Sequence, residues 1–139
     1  MSPTTTWAVA IDLQLLPDTG RHHPLPGGSS PERRFTYRPN WGLPGWPDGE
    51  QTAAPVLGFS RANLHPGESV RAVIVPLFPE AVPAWSEVLP DDELRMYEGL
   101  RLCGVGTVLW AEQATLPMPD DEQEQLLCRL AVPQKGGRP

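Results

Sequence analysis

The chain has 139 residues and a formal net charge of −6, which is the size of one domain and the wrong sign for a generic phosphate-backbone binder, since such a protein carries a basic surplus. Hydrophobic residues make up 40% and charged residues 20%, enough apolar side chain for a modest core and too much for a disordered chain. Eighteen prolines and thirteen glycines exclude long helices, because proline blocks helix interiors and glycine supplies turn conformations; short strands joined by irregular turns are expected.

Trp7 to Leu15 alternates without error, with Trp7, Val9, Ile11, Leu13 and Leu15 on one face and small or polar residues on the other. It is the best strand in the sequence. A turn at Pro17-Asp18-Thr19-Gly20 and a loop from Arg21 to Pro31 follow. Arg34 to Arg38 has strand character and stops at Pro39, and Asn40 to Pro55 reads as a long turn-rich connection that embeds Trp41 and Trp46. Val56 to Ser60 is a short strand, His65-Pro66-Gly67-Glu68 a turn, and Ser69 to Leu77 a central strand. Three prolines make Pro79 to Pro90 an irregular, lid-like excursion rather than a helix. Leu94 to Tyr97 and Leu100 to Trp110 are strands, the second with Gly104 and Gly106 on one face, a sign of a bend or a close approach. Asp120 to Glu124 can open a short helix, but Leu126 to Val132 reads equally well as a closing strand. No internal repeat is visible. Six or seven short strands at this spacing predict an all-β antiparallel barrel or sandwich, and a barrel would leave no exposed edges. Residues 1–132 form the single domain, and residues 133–139 a flexible tail.

Signatures of catalysis are weak. His22, His23 and His65 are imidazoles without a spaced fourth ligand, so no metal site is expected. The acidic triplets Asp91-Asp92-Glu93 and Asp120-Asp121-Glu122 sit in proline-flanked stretches and read as solvated. Gly104-Val105-Gly106 lacks the third glycine of a dinucleotide fingerprint. There is no GxxxxGK[ST] loop and no GxSxG elbow, so neither GTP nor any other cofactor is expected. Cys103 and Cys128 have no CxxC spacing and read as buried small hydrophobes rather than a bridge. Met1 to Thr6 carries no basic n-region, and no apolar run approaches the roughly 18 residues of a membrane span. A cytoplasmic chain without membrane contact is expected. Of five tryptophans, Trp7 and Trp110 fit strand core positions, whereas Trp41, Trp46 and Trp85 sit among prolines. Those three either pack beneath the loops or serve as exposed aromatic anchors for a partner. Beside Arg33, Arg34 and Arg38 they could also stack on bases, against which the acidic balance weighs.

Five segments in register resemble the third, C-terminal β-barrel domain of elongation factor Tu: Gly20-Arg21-His22, Tyr37-Arg38-Pro39-Asn40-Trp41, Pro66-Gly67-Glu68, Leu94-Arg95-Met96, and Glu98-Gly99-Leu100-Arg101-Leu102-Cys103-Gly104-Val105-Gly106. They span about Trp7 to Glu112. The resemblance implies an antiparallel barrel of about six strands. In the family this barrel touches the T stem of aminoacyl-tRNA, and by motif position Arg21, His22, Asn40, Glu98 and Gly99 stand where those contacts lie. Two departures weaken phosphate binding: a basic family position falls on Phe78, and the family's Gln is Asn40. The family's nucleotide-binding domain has no counterpart in the sequence, so GTP hydrolysis is not implied. The loops from Gly42 to Ala54 and from Pro79 to Pro90 look longer than in the family.

The expectation is therefore a noncatalytic binding module that recognises a translation-linked protein partner, with tRNA binding as the alternative. The residues expected to carry it are Arg21, His22, Arg38, Asn40, Trp41, Trp46, Trp85, Glu98 and Gly99.

Overall fold

The computed structural model describes residues 4–17 and 24–131. Among the described residues nine strands run in chain order: β1 (Thr4–Leu15), β2 (Leu25–Pro26), β3 (Asn40–Gly42), β4 (Thr52–Ala53), β5 (Val56–Phe59), β6 (Asn63–Leu64), β7 (Ser69–Ile74), β8 (Glu93–Glu98) and β9 (Arg101–Leu116). An α-helix, α1 (Asp120–Ala131), follows, and short 3-10 turns occupy Pro31–Arg33 and Pro83–Glu87. The class is all-β, with seven strands in one antiparallel sheet of order β4-β3-β8-β9-β1-β7-β5 and a separate β2-β6 pair.

The alternation of β1 sets the core. Val9, Ile11, Leu13 and Leu15 point inward against Val70, Ala72 and Ile74 of β7 and against Trp41, Leu43, Leu94 and Met96, each fully buried aliphatic being worth about 1.5–3 kcal/mol. Part of its opposite face, read from sequence as small or polar, is buried as well: Ala8 and Ala10 lie with Leu57, Val73 and Val75 under Leu126, Leu127 and Leu130 of α1, while Asp12 and Gln14 are exposed. Small side chains on the sheet are what let a helix lie close upon it. Trp7 and Trp110, read as core, are half-buried at the margins of the inner and outer clusters respectively. β9 pairs with β1 through a bulge at Leu109, since Ala10 faces Trp110 while Ile11 faces Val108. Gly104 and Gly106 do share the inward face, where a Cβ on Gly106 would stand 2.9 Å from Ile11 Cδ1.

β4 and β5 sit at opposite edges of the seven-stranded sheet yet are separated in sequence by only Ala54 and Pro55. A flat sheet would hold those edges about 29 Å apart, at ~4.8 Å per strand, whereas three peptide units reach at most about 11 Å. The sheet is therefore rolled. The expected closed barrel is corrected: the strand ladder does not run all the way round. β4 and β5 are not paired, and the free side of β5 is met by an irregular segment in which the Phe35 N–H donates to Val56 O (3.0 Å) and the Val56 N–H to Tyr37 O (2.9 Å).

That segment is also where the strand predicted from Arg34 to Arg38 fails. The chain leaves the 3-10 turn begun by Pro31 and places Phe35 at φ 61°, which breaks an extended run. Conversely, part of the predicted loop Asn40 to Pro55 is strand, because β3 lies on β8 with Trp41 opposite Met96. Ser69 to Ile74 is interior to the sheet as expected, with β1 and β5 on its two sides. The Pro79 to Pro90 excursion is irregular apart from its 3-10 turn. The open choice at residues 120–132 resolves as helix: Leu126, Leu127 and Leu130 share one face, acids fill the first turn and Arg129 the last. Both cysteines are free, and only Cys103 is buried; Cys128 is exposed on α1, against the expectation of two buried thiols. No helix among the described residues is long and apolar enough to cross a membrane. The tail from Pro133 onward lies outside the described residues.

Candidate partner-binding edge

β8 and β9 are joined by Gly99 and Leu100 between the paired Glu98 and Arg101. Gly99 takes φ 62°, the positive value a type II′ hairpin needs at its first central position. Leu100 is left 92% exposed at the tip, and Leu102 is 36% exposed on the returning strand. Gln51, next to β4, donates from Nε2 to the Gly99 carbonyl at 2.8 Å, so the tip is tied to the sheet edge. On the same side of β8, β3 sets Asn40 opposite Tyr97, one residue from Glu98.

The Glu98 carboxylate is held from below by the Tyr37 hydroxyl, which donates to Oε2, and by the Cys103 thiol 3.6 Å from Oε1. A cleft lined by Leu15, Leu25, Pro66, Met96 and Cys103 opens beside them, with room for about 10 Å³, no more than one water molecule. That cleft is too small for a substrate, and the hairpin end itself carries an open depression of about 470 Å³ bordered by Glu98, Leu100 and Arg101. An exposed leucine on a short hairpin, flanked by Arg101 and Glu98, combines apolar area with charges that set orientation.

The structure brings together three of the residues singled out from sequence: Asn40, Glu98 and Gly99. Arg38 is exposed on the segment leading into β3, its Nε donating to Phe35 O at 3.1 Å. Arg21 and His22 lie outside the described residues. The reading of Trp41 and Trp85 as exposed anchors is corrected, because they are 0% and 1% exposed. Trp41 packs in the inner core and its Nε1 donates to Ala54 O at 2.8 Å. Trp85 is carried inward by the 3-10 turn Pro83–Glu87. Trp46 is half-buried against the same core, and its carbonyl accepts from Arg95 Nη2, which with the Arg95–Asp48 ion pair pins the Leu43 to Gln51 loop to β8.

Sequence reasoning missed Leu100, Gln51 and Tyr37. A signal existed for the first, since Gly followed by any residue between two strand residues is the mark of a two-residue hairpin. None existed for the others, whose roles come from contacts 48 and 61 residues away. The acidic triplets serve as local bonding groups: Asp92 Oδ2 accepts the Leu89 N–H, and Asp121 Oδ1 the Glu122 N–H at the start of α1. Among the described residues no group of three or more His, Cys, Asp and Glu is placed to hold a metal ion; His22 and His23 lie outside those residues. No protein-family profile matches the chain, and no curated protein matches it.

Proposed function

We propose that the protein is a noncatalytic binding module, related in its sheet to the third domain of elongation factor Tu, that engages a translation-linked protein partner through the β8–β9 hairpin end. The observation that carries this reading is Leu100, 92% exposed on a tip fixed by Gln51 and flanked by Arg101 and Glu98. A large apolar side chain held out in water at a fixed position gains free energy only when something covers it. The motifs Tyr37 to Trp41 and Glu98 to Gly106, two of those behind the resemblance, converge at this end, which supports the family reading as well. The strongly rolled antiparallel sheet is in keeping with a barrel-derived fold.

Affinity capture from native cell extract, with and without ribonuclease, tests the class of partner. Translation-linked proteins retained after ribonuclease treatment are the expected result; loss of every partner on treatment would overturn it in favour of RNA. The RNA reading draws on the same juxtaposition of Asn40, Glu98 and Gly99, since a glycine backbone and an amide side chain suit sugar and phosphate contacts. It requires tRNA affinity that falls steeply with salt and is lost in Arg21→Ala. The net charge of −6 is why the protein partner is preferred.

A further inference from the structure

The excursion between β7 and β8 carries a second surface, at the far end of β8 from the hairpin tip. Between Arg71 and Arg95 the sequence holds five carboxylates, Glu80, Glu87, Asp91, Asp92 and Glu93, and neither Lys nor Arg. Nearly all of the chain's acidic excess is therefore concentrated there. The excursion also leaves Phe78 60% and Leu89 63% exposed. Against the loop that follows β3 it forms a groove of about 100 Å³, lined by Leu43, Pro44, Ala84 and Val88 together with Glu87 and Asp92.

The groove is firmly built. Trp85, between two of its lining residues, is 1% exposed in the core, and Val88 donates its N–H to Trp85 O. Asp92 is oriented by accepting the Leu89 N–H at 2.9 Å. Glu87 is exposed, and its carboxylate has no ion pair or hydrogen bond among the described residues. An apolar floor with carboxylates beside it is complementary to a side chain that has an alkyl stem and a cationic head. The volume suits one such side chain, not a helix. Phosphate chains are disfavoured by the same carboxylates.

We propose that this groove docks a basic, apolar-flanked segment of a protein partner. One Arg or Lys of that segment lays its stem on Leu43, Ala84 and Val88 and sets its cation against Glu87 and Asp92, while an adjacent apolar residue covers Leu89. This goes beyond the hairpin reading and stands on different residues, so either can fail alone.

The test is titration of the ¹⁵N-labelled full chain with a capped Arg-Leu-Arg-Leu-Arg peptide, using Glu-Leu-Glu-Leu-Glu as control. Amide shifts concentrated at Leu43 and from Ala84 to Asp92, with roughly tenfold weaker binding in the Glu87→Gln/Asp92→Asn double variant, are expected, and Leu100→Asp should leave the titration unchanged. Asn retains an acceptor for the Leu89 N–H, and the exposed Glu87→Gln alone should still weaken binding about threefold. Absence of shifts, shifts spread equally over Asp120 to Glu122, or affinity indifferent to both variants would overturn the proposal.

Discussion

Trp41 and Trp85 fill the same core, yet only one of their indole N–H groups is partnered: Trp41 Nε1 donates to Ala54 O at 2.8 Å, and Trp85 Nε1, buried, has no acceptor among the described residues. Replacing each by Phe removes similar apolar area but different hydrogen bonding. Trp41→Phe strands the Ala54 carbonyl, a loss of about 1–3 kcal/mol in addition to packing, whereas Trp85→Phe removes a donor that was already unpaired. Urea unfolding should therefore find Trp41→Phe less stable than Trp85→Phe by at least ~1 kcal/mol; equal losses, or the reverse order, would show that the hydrogen-bond assignment is wrong. The burial of these two side chains was not legible locally. Both lie among prolines and glycines, which report turn chemistry correctly, but what covers Trp41 is β8, more than fifty residues on, with Met96 opposite it. By contrast Glu98, Gly99 and Asn40 could be singled out because their motifs are local in sequence.

At the scale of elements, arginines latch α1 to the irregular segment that follows the first 3-10 turn and to β9. The Arg34 side chain is only 8% exposed and reaches Glu124 at 2.7 Å, Gln123 Oε1 at 3.3 Å and Ser29 O at 3.0 Å. Arg129 lies 3.9 Å from the Trp110 ring centre and pairs with Glu112 at 2.7 Å. Arg34→Ala should cost about 1.5–3 kcal/mol, because it strips several charge-assisted bonds at a mostly covered site, and amide exchange of α1 should accelerate. Glu124→Gln, at a position 60% exposed, should cost less than about 1 kcal/mol. Comparable losses in the two variants would remove Arg34 from its role as the latch. Beneath the helix, a Cβ on Gly58 would come within 2.6 Å of Leu127 Cδ2 and 3.0 Å of Ser29 Cβ. Gly58→Ala is expected to destabilise by about 1–3 kcal/mol through overpacking, with the earliest exchange again in α1; a neutral or stabilising result in thermal unfolding would mean that the helix rides higher than described. The sequence left α1 undecided between helix and strand because Leu126 to Val132 is a short, nearly continuous apolar run, which periodicity alone does not resolve. It is the helix face, packed on Ala8, Ala10 and Gly58, that selects one answer. The segment from Arg34 to Arg38 went the other way: its alternation suggested a strand, and a turn opened by Pro31 with Phe35 at positive φ prevented one.

At the scale of the whole molecule, the described residues form a rolled antiparallel sheet with a filled interior, α1 on its outer face, and two ends of different character. One end presents an apolar hairpin tip between an arginine and a glutamate; the other presents an acidic, irregular excursion with a narrow apolar groove. Five of the seven strands that make the roll, β1, β5, β7, β8 and β9, were readable from alternation and turn residues, since both are properties of a few adjacent positions, whereas β3 and β4 lay inside a predicted loop. Which edges meet was not, because that depends on the juxtaposition of β4 and β5 across Ala54 and Pro55 and on the Phe35 to Tyr37 segment that faces Val56. The central claim is that this scaffold acts by presenting Leu100 to a protein. The direct measurement is quantitative comparison of the proteins held by the native chain and by Leu100→Asp from one ribonuclease-treated extract, with circular dichroism confirming that both are folded. The account predicts a translation-linked protein depleted roughly tenfold or more by the substitution, as loss of a central apolar contact entails. Identical protein sets at identical yield from both folded chains would contradict it.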